Sequence, residues 1–319
     1  MTVAAVLPRI DPEMQAALDK AAELARQYGP PGADVASQRA FQNKIREYWY
    51  EGGPAMAEER RDVIPGPYRD IPVAVYRPTR AAPLPALVYF HGGGFRFGNE
   101  TYNARQLREL AFAWGGVIVS TDYAHIPERV FPAAVDEGAA VYAWLNRNGA
   151  QWGIDGARLA FGGNSAGGSV CMGAAIHVGG ARAGYLKAGA TLVTPFSDDC
   201  DTASMHLFAT GFYPSRAGTI ETHHAYVPDA RLRDDPRVNC LNCDPSIMPP
   251  MFLAAAELDT LRDSSVDMAK KLAAAGRPHR LKIYPGLTHM FASYTRGVSR
   301  ARECWADIAA FLTANVPAK

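Results

Sequence analysis

Neither sign of charge dominates this chain: 33 Lys and Arg stand against 32 Asp and Glu, a formal net charge of +1 over 319 residues. Blocks of like charge longer than a few residues are also missing, so neither nucleic acid nor an anionic membrane is favoured as a partner. A small neutral ligand fits better. Long apolar runs are absent too. No stretch approaches the roughly 20 residues a membrane-spanning helix needs, and Met1 to Arg9 lack a basic region followed by a sustained apolar run. A cytoplasmic protein is therefore expected. Cysteine is sparse and odd in number, at Cys171, Cys200, Cys240, Cys243 and Cys304. A chain of this length folds without staples, which predicts reduced thiols. Cys240 and Cys243 have metal-ligand spacing, yet no second ligand pair lies near them and Asn239, Asp244 and Pro245 read as loop. No metal is expected there.

What the chain does have is alternation of strand-like and helix-like segments. Apolar positions at helical spacing run from Asp11 to Tyr28 and end at Gly29-Pro30-Pro31-Gly32, and a second helix is expected over Ala36 to Tyr50. Strands are expected at Ile71 to Arg77, Ala86 to Phe90, Val117 to Asp122, Arg158 to Gly162, Ala188 to Thr194, Met251 to Ala256 and Arg280 to Tyr284. Helices are expected at Tyr102 to Trp114, Pro132 to Asn148, Ser165 to Val178, Asp263 to Ala275 and Ser299 to Ala314. From about residue 70 onward the order is that of a mostly parallel sheet covered by helices on both faces, an α/β class. Two segments break the alternation, residues 1–50 and about 197–249. Long insertions at the carboxyl ends of parallel strands border ligand sites, so both are read as a cap over a catalytic domain spanning 51–319.

Two glycine-rich segments carry the chemistry. His91-Gly92-Gly93-Gly94-Phe95 follows an expected strand, and Gly162-Gly163-Asn164-Ser165-Ala166-Gly167-Gly168 joins another strand to a helix. Serine is a poor nucleophile unless it is lifted clear of its neighbours and paired with a base. A Gly-x-Ser-x-Gly turn between strand and helix supplies that geometry. The motif alone is weak in a chain with 29 glycines; its strand–turn–helix context and the upstream loop strengthen it. The backbone N–H groups of Gly93, Gly94 and Ala166 are expected to hold an oxyanion.

Of the eight histidines, His289 is the expected base. It lies beyond the last expected strand, after Pro285-Gly286-Leu287-Thr288, whereas His91 is expected to order its own loop and His177 and His279 to be structural. His223 and His224, in the cap insertion, are the rivals. Asp259 is the expected carboxylate partner, following a strand and completing the chain order Ser165, Asp259, His289. Asp263 and Glu257 are the alternatives. Among the aromatic residues Phe41, Trp49, Tyr50, Phe95, Phe97, Phe208, Phe212 and Tyr213, the two preferred for contact with substrate are Phe95 and Phe212.

These motifs together resemble those of the hormone-sensitive-lipase-like family of α/β-hydrolase carboxylesterases. The resemblance runs from about Leu87 to Phe311, through His91 to Phe95, Asp122-Tyr123 with Pro127-Glu128, Phe131 to Ala134, Gly163 to Gly168, Asp259 to Asp263 and His289-Met290-Phe291. It implies the α/β-hydrolase fold with a helical cap, the triad Ser165, Asp259 and His289, a cofactor-free mechanism, and short-to-medium acyl esters as substrates. Three departures stand out: Asn164 where the family usually has Asp, Ala124-His125-Ile126 for Arg-Leu-Ala, and Thr260 for Pro. The function expected is a serine carboxylesterase acting through an acyl-enzyme. An amidase or N-deacetylase using the same triad, and a non-catalytic receptor on the same fold, are the competing readings. The natural ester is not legible in these residues, and whether the chain forms a homodimer is left open.

Overall fold

The computed structural model describes residues 9–318. The chain opens with two helices, α1 (Pro12–Tyr28) and α2 (Val35–Tyr50). Each begins at an aspartate whose carboxylate accepts free backbone N–H groups: Asp11 takes those of Glu13 and Met14 at 2.9 and 3.3 Å, and Asp34 takes that of Ser37 at 2.8 Å. The strands follow as β1 (Glu58–Pro65), β2 (Asp70–Arg77), β3 (Leu84–Phe90), β4 (Val117–Thr121), β5 (Ile154–Asn164), β6 (Leu186–Leu192), β7 (Met251–Leu258) and β8 (His279–Thr288). Between and after them run the helices α3 (Ala104–Trp114), α4 (Ala133–Asn148), α5 (Ala166–His177), α6 (Ala203–Leu207), α7 (Arg216–Tyr226), α8 (Arg262–Ala274) and α9 (Ser299–Asn315).

The strands make one 8-stranded sheet in the order β1-β2-β4-β3-β5-β6-β7-β8. β2 is antiparallel to both β1 and β4, and every later pairing is parallel. This is the α/β-hydrolase architecture that the sequence leads one to expect. Side chains alternate between the two faces: Val88 and Phe90 of β3 enter one buried cluster with α4, α5 and α8, while Leu87 and Tyr89 enter the other with α3 and α9. Both faces are therefore dry, as a helix-covered parallel sheet requires.

Strand β1 was not among the expected elements. Its sequence, Glu58-Glu59-Arg60-Arg61-Asp62-Val63-Ile64-Pro65, is charged almost throughout, and only Ile64 is buried. It is an edge strand, where charge on both faces is tolerated and guards against pairing with another chain. Strands β5 and β8 are longer than expected: β5 also pairs Ile154 with Leu84 and Asn164 with Leu192, and β8 also pairs Thr288 with Leu258 across a register shift.

The N-terminal helices are tied to the body by polar contacts. Arg39 donates to the carbonyls of Arg96 and Ile126 at 2.9 and 3.1 Å and pairs with Glu128 at 2.7 Å. The Gln106 amide donates to the carbonyl of Trp49 at 3.2 Å. Residues 197–249 hold α6 and α7 joined by irregular chain and short 3₁₀ turns. Among the described residues no helix is long and apolar enough to cross a membrane.

Candidate active site

β5 runs without a break into Ser165, which begins the turn into α5 with φ 51° and ψ −127°. That conformation is strained for a residue with a side chain and survives only where its surroundings enforce it. The flanking glycines are part of the enforcement. A Cβ on Gly163 would meet the Gly167 carbonyl oxygen at 2.5 Å, and one on Gly167 would meet the carbonyl oxygens of Phe90 and His91 at 2.1 and 2.2 Å. No larger residue fits either place without moving backbone.

His289 follows β8 and is buried, as is Asp259 after β7. Its Nε2 lies 2.9 Å from Ser165 Oγ and its Nδ1 lies 2.8 Å from Asp259 Oδ2. The second oxygen of Asp259 accepts the backbone N–H of Leu261 at 3.0 Å, which fixes the carboxylate plane. The structure thus brings Ser165, His289 and Asp259 into one hydrogen-bonded chain. The alternative carboxylates are occupied elsewhere: Glu257 accepts the N–H of Gly286 at 2.7 Å, and Asp263 accepts that of Ser204 at 2.7 Å. The rival histidines differ from each other. His224 is exposed, whereas His223 is buried and lines the cavity in front of Ser165.

Behind the serine, the glycine loop is held from three sides. The Asn164 amide oxygen accepts the N–H of Gly92 and the hydroxyl of Tyr89, both at 2.8 Å. Tyr123 donates its hydroxyl to the carbonyl of His91 at 2.9 Å. Gly93 has φ 131°, and a Cβ there would stand 2.1 Å from the carbonyl oxygen of Phe97. The His91 ring is buried, with Nδ1 2.8 Å from the carbonyl of Gly92, and burial pushes its pKa down to about 4. It orders its loop and has no contact with the serine. Asn164, which stands where the family usually has Asp, is the last residue of β5 and anchors Gly92 in the loop after β3.

A small cavity of about 70 Å³ lies in front of Ser165, lined by Gly94, Ala166, Pro195, Tyr213, His223 and His289 among others. Phe95 lines it too, its ring stacked on Tyr226 at 3.8 Å between centroids. Gly93 lies one residue behind the lining. Phe212 is not part of the lining: it packs edge-on against Phe208 at 5.0 Å, and the neighbouring Tyr213 stands 6.0 Å from the His289 ring instead. The residues from 197–249 that reach the cavity include Asp198, Thr219 and Thr222, whereas α1 and α2 contribute none. Cys240 and Cys243 are free and buried, and burial raises both thiol pKa values. Among the described residues no cysteine belongs to a metal-ligating cluster.

Comparisons with known proteins agree with the fold. Residues 87–293 match the model of a family described as alpha/beta hydrolase fold. Acetyl esterases of Salmonella dublin and Salmonella enteritidis are each 28% identical over 321 residues, covering 98% of this chain and 96% of theirs. Among solved structures, an alpha/beta hydrolase enzyme from the metagenome of Lake Arreo, Spain, is 32% identical with a TM-score of 0.87, covering 96% of this chain and 98% of that one. A thermostable esterase from Pseudomonas putida is 26% identical with a TM-score of 0.84, over 98% and 99% of the two chains.

Proposed function

This chain belongs to the alpha/beta hydrolase fold family, in its hormone-sensitive-lipase-like group, and from that premise we propose that it hydrolyses short acyl esters through a covalent acyl-serine. Its class is carboxylic ester hydrolase, and its substrates are small-molecule esters. The observation that carries the serine mechanism is the continuous chain from Asp259 to His289 at 2.8 Å and on to Ser165 at 2.9 Å, ending at a cavity.

In this mechanism Ser165 Oγ attacks the ester carbonyl carbon while His289 Nε2 takes its proton. Asp259 holds Nδ1–H and stabilises the imidazolium. Negative charge gathers on the former carbonyl oxygen, where the N–H groups of Gly94, Ala166 and Gly93 receive it. Each such donor is worth about 3 kcal/mol in the transition state. His289 then gives its proton to the leaving alkoxide, the alcohol departs, and a water deprotonated by His289 releases the acid.

The small cavity and the acetyl esterase relatives together favour acetyl and other short acyl groups over long ones. The segment 197–249 acts as the cap, with α1 and α2 bracing the loops beneath it. A p-nitrophenyl ester series from acetate to octanoate tests this with wild type and Ser165→Ala. Acetate or propionate should be fastest, and the variant should lose on the order of 10⁴-fold or more in kcat. Turnover surviving in the folded variant would place the nucleophile elsewhere, and a matched amide cleaved faster than its ester would overturn the choice of bond.

A further inference from the structure

A second cavity, of about 380 Å³, lies beside the glycine loop and shares no lining residue with the ester cavity; Asp122, His125 and Gly98 are on its wall. One ligating atom from each of His91, Asp122 and His125 falls within 4.8 Å of the other two. Gly98 stands directly against the His91 ring, where a Cβ would approach Nδ1 to 2.2 Å.

The hydrogen bonding of these three side chains is incomplete in a telling way. His91 Nδ1 faces the carbonyl of Gly92 at 2.8 Å, so it carries the ring proton and donates it. Nε2 is then left with a bare lone pair, buried and without any partner. His125 Nε2 is likewise buried and unpartnered. Buried polar atoms are ordinarily paired, and two lone nitrogens in one cluster call for an explanation. An imidazole whose other nitrogen donates to a backbone carbonyl has the tautomer and orientation of a metal ligand.

Asp122 completes the set. Its Oδ2 is 3.7 Å from Arg69 and its Oδ1 is 3.9 Å from His125 Nδ1, both beyond hydrogen-bond length. Of the three arginines on the cavity wall, Arg39 pairs with Glu128 at 2.7 Å, Arg69 pairs with Glu137 at 3.1 Å, and Arg129 lies over the Tyr68 ring at 4.9 Å.

We propose that His91, Asp122 and His125 form a site for one zinc-type divalent cation, with water as the remaining ligand. Two imidazoles and a carboxylate suit zinc and its neighbours in the first transition row better than magnesium or calcium. Ligands on a tetrahedral zinc are about 3.3 Å apart, so the three side chains would draw inward by roughly an ångström. The ion would take no part in ester cleavage. Because His91 leads directly into Gly92, Gly93 and Gly94, it would fasten the root of the loop that receives the oxyanion.

The test uses chelator-treated full-length protein titrated with zinc chloride by calorimetry, and with cobalt(II) followed by visible absorption. Wild type should bind one zinc per chain, show the intense absorption of four-coordinate cobalt, and melt at a higher temperature with zinc present. His125→Leu, which removes one ligand and adds no charge, should bind zinc at least tenfold more weakly and show no zinc-dependent rise in melting temperature. Asp122→Asn serves as the second variant should His125→Leu fail to melt cooperatively. Wild type that binds no zinc, or folded variants that bind it as tightly as wild type does, would overturn the proposal; the latter would put the ion on other groups.

Discussion

The platform that presents Ser165 and the wall that faces it are built on different principles. On the platform, backbone closeness decides every position: Gly163 and Gly167 lie against carbonyl oxygens, Gly93 lies against that of Phe97, and the Asn164 amide ties one loop to the other. The wall, drawn largely from 197–249, is a set of side chains such as Tyr213, Thr222 and His223 on short helices and irregular chain. A platform of this kind tolerates almost no change of residue, whereas a wall of this kind can be recut. Chemistry is thereby fixed while the shape of the acceptable ester is left adjustable.

Substitutions can break or sharpen that contrast. On the platform side, Asp259→Asn should lower kcat on the order of 10⁴-fold with the fold intact, because the amide no longer holds His289 in its working tautomer. Activity within tenfold of wild type would remove Asp259 from the relay. Asn164→Leu should be next, lowering kcat about 100-fold with little change in KM, since a loop displaced by about an ångström misplaces the oxyanion donors. An unchanged kcat would show that Tyr123 and the packing of Gly93 suffice to hold the loop.

Wall substitutions should do less to kcat. Tyr213→Ala removes an exposed ring beside His289 and should raise activity on butyrate and hexanoate relative to acetate by less than about tenfold, mainly through KM. A fall in kcat equal for all chain lengths would mean that Tyr213 belongs with the platform. The smallest effect is on stability. Burial holds His223 below its ordinary pKa of about 6.5, opposed by Asp198 and supported by His224 and Arg233. The unfolded chain gains the proton more readily than the folded one does, so the stability this neutral ring contributes is present above pH 6.5 and is lost as pH falls below it. His223→Gln should therefore show a smaller drop in urea midpoint between pH 7.5 and 5.5 than wild type does. Equal drops would show that His223 protonates in the fold as freely as in the open chain.

The legibility of the sequence follows the same division. Ser165, Asp259 and His289 could be read from type, order and flanking strands, because a nucleophile turn and strand-end loops leave strong local signals. The core strands were legible where both faces are buried, as in Leu84–Phe90. β1 was not, because an edge strand of charged residues has no apolar alternation to read. Phe212 and Tyr213 illustrate the limit on the wall: adjacent in sequence and alike in chemistry, they point to different neighbours, and only the turn between α6 and α7 decides which ring meets His289. The incomplete partnering of His91 and His125 was equally invisible, since it arises from two loops meeting in space.

The neutral side chain at position 164 has one more consequence. A carboxylate in that position would gain a proton in sufficiently acid solution and loosen its grip on the N–H of Gly92, whereas an amide oxygen has no such transition. The tether between the two glycine segments is therefore insensitive to acidity. Installing Asp at 164 would add a titrating event at a position where the native chain has none.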